Sequence, residues 1–401
     1  MPSVLVINSG SSSFKYQLID AESERRLASG LVERIGESSG HAKHDTDDGH
    51  WERTLEIPDH TAGFAVMTEA FAEHGPSLDE HPPVAVGHRV VHGGARFFEP
   101  TLVTPLVLIN IEDLSDLAPL HNPANVEGIK AAQAAFPDLP QVAVFDTAFH
   151  QTMPPDAYTY GLEASVAERG RIRRYGFHGT SHKFVSEAAA QFLQRPLAQL
   201  KQIVLHLGNG ASVCAVDRGR SVDTSMGFTP LEGLVMGTRT GDIDPAVLLF
   251  LQRSMRMDVD EVDDLVNKRS GILGLSGHQD MRDLTAAAQA GDARARLALS
   301  VYTRRIKHYV GAYAAELGTV HDIVFTAGVG ENSALVRAMA LGGLEGFGIE
   351  IDDDRNGEPN HGPRVISTDA SRVSVLVVPT NEELEIARQT LQVTGTQPPV
   401  G

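Results

Sequence analysis

Cysteine is almost missing: Cys214 is the single one in 401 residues. That excludes an intrachain disulfide framework, and within the apolar run SVCAV it reads as a buried strand residue rather than a nucleophile or ligand. No apolar run approaches the roughly 18 residues that a membrane span needs. The start, MPSVLVINSG, lacks the basic stretch and apolar segment of a secretory signal. A cytoplasmic address is expected, with no membrane partner. Positive charge is short as well, 34 Lys and Arg against 52 Asp and Glu for a net charge of −18. A broad nucleic-acid surface is therefore excluded, and an anionic ligand must be held locally by backbone amides and a few placed arginines.

What is present is a repeated grammar. VLVINSGSSSF at Val4 to Phe14 is echoed 200 residues later by VLHLGNGASVC at Val204 to Cys214: strand, small-residue turn, strand. Periodicity predicts strands at 3–8, 13–19, 26–34, 84–91 and 142–146, with helices at 62–74 and 123–135. The second half predicts strands at 202–207, 212–217, 220–224, 322–326 and 374–378. Its helices are predicted at 245–256, 281–317 (one long region), 332–341 and 381–393. Each half is a three-strand meander followed by alternating helices and parallel strands, so the chain reads as a duplicated α/β unit. Asn122-Pro123 and Asp244-Pro245 suggest N-caps before a first-turn proline, and Thr380 with Glu383 suggests a capping box. The polar stretch 37–52 reads as a solvated loop.

Three glycine turns follow strands: NSGSSS (8–13), GNGAS (208–212) and AGVGENS (327–333), the last also opening a helix. In such turns successive N–H groups can face an anion, although no P-loop or Rossmann fingerprint surrounds them. Arg89 lies in a near-apolar strand and Arg239 between glycine-flanked turns. Arg89 can serve a buried structural ion pair, or a ligand carboxylate or phosphate can offset its burial. His121, His178 and His206 lack zinc-like spacing and are better used as donors near an anionic transition state. Asp146 ends a strand and Glu382 opens a helix; each is either a cap or a carboxylate for magnesium.

The segments INSGSSSFKY, GHRVVHGG, HNPANVEGI, VFDTAFHQTMP, RYGFHGTSHK, HLGNGAS, DTSMGFTPLEGLVMGTRTGDIDP, SGILGLSG, AGVGENS and PTNEELEIAR together resemble the acetate kinases, in order and over nearly the whole chain. The resemblance implies a fold of two duplicated actin-like, ribonuclease H-like domains with a cleft between them. These would be 1–147 plus 383–401, whose last helix returns to the first domain, and 148–382 on the nucleotide side. It implies reversible transfer of the ATP γ-phosphoryl group to acetate, with magnesium (or manganese) and ATP/ADP as substrate, in a homodimer whose domains close over both substrates. Carried over, Arg89, Asp146, His178 and Arg239 resemble the catalytic set, with His178 and Arg239 stabilising the transition state. Asn8 and Glu382 match the metal positions, and Val91, Leu120, Phe177 and Pro230 the acetate pocket, which also includes Arg89. Nucleotide contacts resemble Ser11, Ser13 and Lys15 in the first turn, and His206, Leu207, Gly208, Asn209 and Gly210 in its counterpart. Around the base they resemble Asp280, Met281 and Arg282, with Gly328, Val329, Gly330, Glu331 and Asn332.

Two other functions compete with this one. A propionate or butyrate kinase would use the same site with a roomier pocket at Val91 and Pro230. A nucleotide-dependent switch would have no reason to carry Arg89, His178 and Arg239.

Overall fold

The computed structural model describes residues 2–395. It divides into two compact units, Met1–Ala148 with Asn381–Gly401, and Phe149–Thr380. Residues 1 and 396–401, part of the expected first domain, lie outside the described residues.

The first unit is built on β1 (Ser3–Gly10), β2 (Ser13–Asp20), β3 (Arg26–Glu33), β4 (Gly40–Thr46), β5 (Gly49–Leu55), β6 (Pro83–Val90), β7 (Thr101–Leu102) and β8 (Gln141–Phe145). They form one sheet in the order β5-β4-β3-β2-β1-β6-β8-β7. β1 to β5 run as an antiparallel meander, whereas β1, β6 and β8 are parallel. Alternation along β1 and β6 sends Leu5, Ile7 and Val86 to the face packed by the helix Asn122–Ala135. The opposite face takes the C-terminal helix Glu382–Thr394, which reaches β1, β6 and β8. Gly87 makes that approach possible, since a Cβ there would stand 2.4 Å from Thr390 Oγ1.

The second unit has β9 (Lys201–Leu207), β10 (Ala211–Asp217), β11 (Arg220–Thr224), β12 (Asp322–Thr326), β13 (Arg364–Val365) and β14 (Ser374–Val377), ordered β11-β10-β9-β12-β14-β13. The order β3-β2-β1-β6-β8 thus recurs as β11-β10-β9-β12-β14. The echo at a shift of 200 falls on equivalent strand pairs, β1–β2 and β9–β10. The helix Gly179–Phe192 covers one face through Val185 and Ala189, against Val204, Cys214 and Val324; Cys214 is buried, as expected.

Several expectations need correction. The stretch 37–52 is no loop but largely the hairpin β4–β5. Gly40, Ala42 and His44 alternate inward, and the inward histidine hid the pattern. His44 satisfies both ring nitrogens, Nε2 donating to the Gly75 carbonyl at 2.6 Å and Nδ1 accepting from the Tyr16 hydroxyl at 2.7 Å. The region 281–317 is two helices, Met281–Gln289 and Ala293–Leu317. They are parted at Gly291, whose φ is +100°, and at Asp292, which caps the second. The helix expected at 332–341 runs Ala334–Leu341, and a separate short helix, Ala327–Asn332, precedes it where only a glycine turn was expected. Asn122 lies inside its helix and bonds the backbone of His92 instead of capping. Asn381, not Thr380, caps the last helix through the Leu384 amide. Asp244 does cap, accepting from Ala246.

One buried carboxyl makes stability pH-dependent. Asp322 opens β12 fully buried, accepts from Gln202 Nε2 at 3.0 Å, and has no partner at Oδ2 among the described residues. Burial raises its pKa to about 7. Since the unfolded carboxyl titrates near 4, the folded chain keeps a proton that the unfolded chain loses, so stability falls as pH rises from about 4 to 7 and is flat above. Asp322→Asn should remove that slope. Urea midpoints at pH 5 and pH 8 should show the variant gaining on the wild type at the higher pH; an unchanged difference would assign the titration elsewhere.

Candidate active site

In the first unit the parallel strands end together on the face under the C-terminal helix. Asn8 pairs with Lys15 across β1 and β2, so their side chains share a face. Arg89 follows Gly87 by two on β6 and takes the same face, and Asp146 follows β8. Arg89 binds Asp146 with a two-pronged contact, Nε donating to Oδ1 at 2.9 Å and Nη2 to Oδ2 at 2.7 Å. The Asp146 side chain is 2% exposed and that of Arg89 24%, so the pair sits at the edge of the interior. The ion-pair reading of Arg89 holds here, and its Nη1 takes part in neither of these two bonds.

Glu382 begins the C-terminal helix beside them. Burial pushes its pKa up to about 7, against the pull of Arg89, while Asp146 and Glu383 push the same way. Its Oε2 is buried with no hydrogen-bond partner among the described residues. An unmatched carboxyl oxygen of this kind can serve as one ligand of a cation. Ser11 and Lys15 are exposed in and beside the first turn, and Ser13 is half-buried. Val91 is half-buried beyond β6, its amide held by Asn125 Oδ1, and Leu120 is 69% exposed.

The second unit gathers a different set. His178 caps the helix Gly179–Phe192 with φ of 56°, a left-handed conformation that few side chains adopt. Its Nδ1 lies 3.0 Å from Ser212 Oγ, and its ring stacks on that of His206 at 4.2 Å. His206 is tied by Nδ1 to Ser181 Oγ at 2.8 Å. The turn Gly208–Gly210 joins β9 to β10, and the Gly237 amide bonds Asn209, which brings the Arg239 segment against the turn. A Cβ on Gly210 would stand 3.4 Å from His178 Nε2 and 3.7 Å from Arg239 Nη1. Arg239 donates to the Pro230 carbonyl at 3.2 Å and meets no carboxylate among the described residues. Burial alone lowers its pKa. Phe177 is buried directly before His178.

Beside this turn lies a cavity of about 660 Å³, lined by Gly208, Asn209, Asp280, Met281, Arg282, Gly328, Val329 and Asn332 among the expected nucleotide residues. Leu207 and Gly330 are buried and do not line it, nor do His206, Gly210 and Glu331. Glu331 is occupied with the Thr380 amide and the Asn360 side chain. Asp280 caps the next helix and grips Arg282 at both oxygens, which holds its pKa down to about 2.

Three lining or supporting residues went unforeseen. Thr285 and Tyr302 line the cavity with buried hydroxyls that lack partners among the described residues. They sit inside amphipathic helices, where a hydroxyl gives no sequence signal. Arg337 is 1% exposed and meets no carboxylate among the described residues; it holds the third glycine turn by the carbonyls of Gly330 and Glu331 at 2.9 and 3.0 Å. Tyr302→Phe and Thr285→Val should each raise KM for ATP several-fold with kcat nearly unchanged, as for a lost uniform binding contact. An unchanged KM for ATP in both would mean that these hydroxyls do not meet the base or ribose.

A glycine turn, a cavity of about 660 Å³ beside it and a guanidinium that meets no carboxylate among the described residues are the features a phosphotransferase acting on a nucleotide needs. The model of the acetokinase family matches residues 3–388, and the chain belongs to that family. It is similar to the acetate kinase of Leifsonia xyli subsp. xyli, at 65% identity over 98% of this chain and 99% of that one. The acetate kinase of Streptomyces avermitilis is 54% identical over 98% of both chains. Among solved structures, an acetate kinase from Porphyromonas gingivalis superposes with a TM-score of 0.94 at 42% identity, over 98% of this chain and 100% of that one. A propionate kinase from Francisella tularensis subsp. tularensis gives 0.92 at 41%, with the same coverage. The fold is that of the acetate kinases, its strand order repeated in the two units, and the molecule is a kinase that phosphorylates acetate with ATP.

Proposed function

We propose that the enzyme is magnesium-dependent and reversible, and moves the γ-phosphoryl group of ATP in line onto the acetate carboxylate. The observation that carries this is Arg239, a part-buried guanidinium with no carboxylate partner among the described residues, beside His178 and the Gly208–Gly210 turn. A cation left uncompensated there awaits an anion. Acetate is already a nucleophile, so the site needs no strong base; its task is to position two anions and neutralise the group in transit.

In this reading Arg239 and His178 donate to the transferring phosphoryl oxygens. In the second unit the Asn209 and Gly210 amides, and in the first the turn with Ser11, Ser13 and Lys15, are each assigned to phosphate binding. Asp280, Met281, Arg282, Gly328, Val329 and Asn332 bound the nucleoside cavity. Arg89 binds the acetate carboxylate through its remaining donors, held in place by Asp146. Val91, Leu120, Phe177 and Pro230 face the methyl group.

The residues fit a hard divalent ion. Glu382 offers the unmatched Oε2, and Asn8 a neutral oxygen on the same face of the sheet. Among the described residues no group of three or more His, Cys, Asp or Glu could cage a metal, which suits magnesium, since that ion is commonly held by one or two protein oxygens plus substrate phosphates. When bound, the ion would supply positive charge to the phosphates.

Two finer points follow. The likeness to a propionate kinase, and the small energetic weight of one methylene, about 1–3 kcal/mol, make propionate a weaker second substrate. The helix Pro245–Met255, PAVLLFLQRSM, has no buried residue, and Leu249 and Phe250 are 48% and 57% exposed. An apolar helix left so bare suits a second copy of the chain, and we assign a homodimer to it. Phe250→Glu should yield monomers by light scattering. No described helix is long and apolar enough to cross a membrane, and we place the enzyme in the cytoplasm. The deciding assay traps acyl phosphate with hydroxylamine from ATP, magnesium and acetate, propionate or butyrate. Strong acetate and weaker propionate signals are expected; ADP release without trapped product would sink the assignment.

A further inference from the structure

We propose that His182 is a positioning residue for the transfer: through Ser212 it fixes the ring of His178 in the tautomer that carries its proton on Nε2. The proposal rests on the reading of His178 as a donor to the transferring group.

His178 is the N-cap of the helix Gly179–Phe192 and His182 lies in its first turn, its amide bonded to the His178 carbonyl at 2.9 Å. Ser212, on β10, joins them: its Oγ lies 2.7 Å from His182 Nε2 and 3.0 Å from His178 Nδ1. His182 and Ser212 are both fully buried. Desolvation, with His150 and His206 nearby, keeps the His182 ring neutral.

The direction of this chain follows from counting protons. The Ser212 hydroxyl has one hydrogen to give and can accept from the other side. If it donated to His182 Nε2, the His182 proton would sit on Nδ1, which is buried with no partner among the described residues. That arrangement strands a buried N–H donor, the rarest kind of unsatisfied group. If both rings donated to Ser212, its own hydrogen would be stranded instead, for no other Ser212 Oγ contact is present among the described residues. The remaining arrangement leaves only a bare lone pair on His182 Nδ1: His182 Nε2–H donates to Ser212 Oγ, and Ser212 O–H donates to His178 Nδ1.

His178 must then carry its proton on Nε2, the edge that faces Gly210 and Arg239. A donor, rather than a lone pair that would repel phosphoryl oxygens, points where negative charge gathers. Stacking on His206 restricts the rotation that would undo this. None of it follows from spacing alone, since Ser212 is 30 residues from His182.

The test is ¹⁵N NMR of the ring nitrogens in the full-length histidine-labelled protein, paired with kinetics. The wild type should show His178 protonated at Nε2. Ser212→Ala and His182→Phe should lose that preference and lower kcat about tenfold, with KM for ATP and acetate within about twofold. His182→Gln, whose amide N–H can replace the lost donor, should restore both. A wild-type His178 protonated at Nδ1, or an unchanged His178 tautomer in Ser212→Ala, would overturn the relay even if His182→Phe fails to fold. Near-normal turnover in His178→Ala would instead overturn the underlying role of His178, and the kinetic consequence with it; the tautomer spectra judge the relay separately.

Discussion

Arg239→Ala should lower kcat by about 10³-fold, the scale on which loss of one preorganised charge partner is felt in a transition state, while leaving the protein at least as stable as the wild type. The two halves of this result have one cause. The guanidinium is taken partly out of water with, among the described residues, neither a carboxylate beside it nor a charge that raises its pKa; its contacts there are a carbonyl and a thioether. The folded protein therefore carries an unfavourable charge, which the ligand rather than the fold compensates. Removing it relieves the fold and cripples the reaction. Arg239→Lys should recover only part of the turnover, because a point charge cannot reproduce a planar fork. Steady-state kinetics and a thermal melt on the same samples decide the matter. Turnover near normal would remove Arg239 from the mechanism, and a marked loss of stability would make it a structural residue.

How far the sequence carried this reading depends on where each signal lay. The duplication was legible because the strand–turn–strand pair recurs at Val4 and Val204, and both copies occupy equivalent positions in their sheets. Strand β12 matches its expected bounds, its apolar run being closed by turn residues. The hairpin β4–β5 was illegible because its inward positions include His44, whose burial depends on Tyr16 and on the Gly75 carbonyl, partners 28 and 31 residues away. Thr380 was read as a cap for want of knowing that its amide is drawn to Glu331 Oε1 and its hydroxyl to Ser181.

The site shows the same division. Arg89, Asp146, His178 and Arg239 stood out as polar residues at strand ends or between glycines. Their pairing did not: nothing local says that Arg89 is committed to Asp146 while Arg239 meets no carboxylate among the described residues. Arg337 went unnoticed because it lies within an ordinary amphipathic helix, and only tertiary structure shows it gripping the glycine turn beyond β12. Thr285 and Tyr302 were silent for the same reason.

The contrast between the two arginines yields the second large effect. Arg89→Ala should cost as much turnover as Arg239→Ala, yet it should also destabilise the first unit. The Asp146 carboxylate, 2% exposed, would lose both hydrogen bonds and its only close cation among the described residues. Breaking one side of a buried pair costs about 3–5 kcal/mol; since Arg89 is 24% exposed, water will screen part of that, and a loss near the lower end is expected. Asp146→Ala should do comparable harm to turnover by letting Arg89 swing from its place. The double variant Arg89→Ala/Asp146→Ala should recover much of the lost stability, because no unmatched charge remains, but none of the turnover. A double-mutant cycle run in urea denaturation and in kcat separates the two roles. Strong coupling in stability with no recovery of activity is the expected outcome. Full activity in the double variant would mean that the pair serves the fold alone, and that acetate is held by other groups.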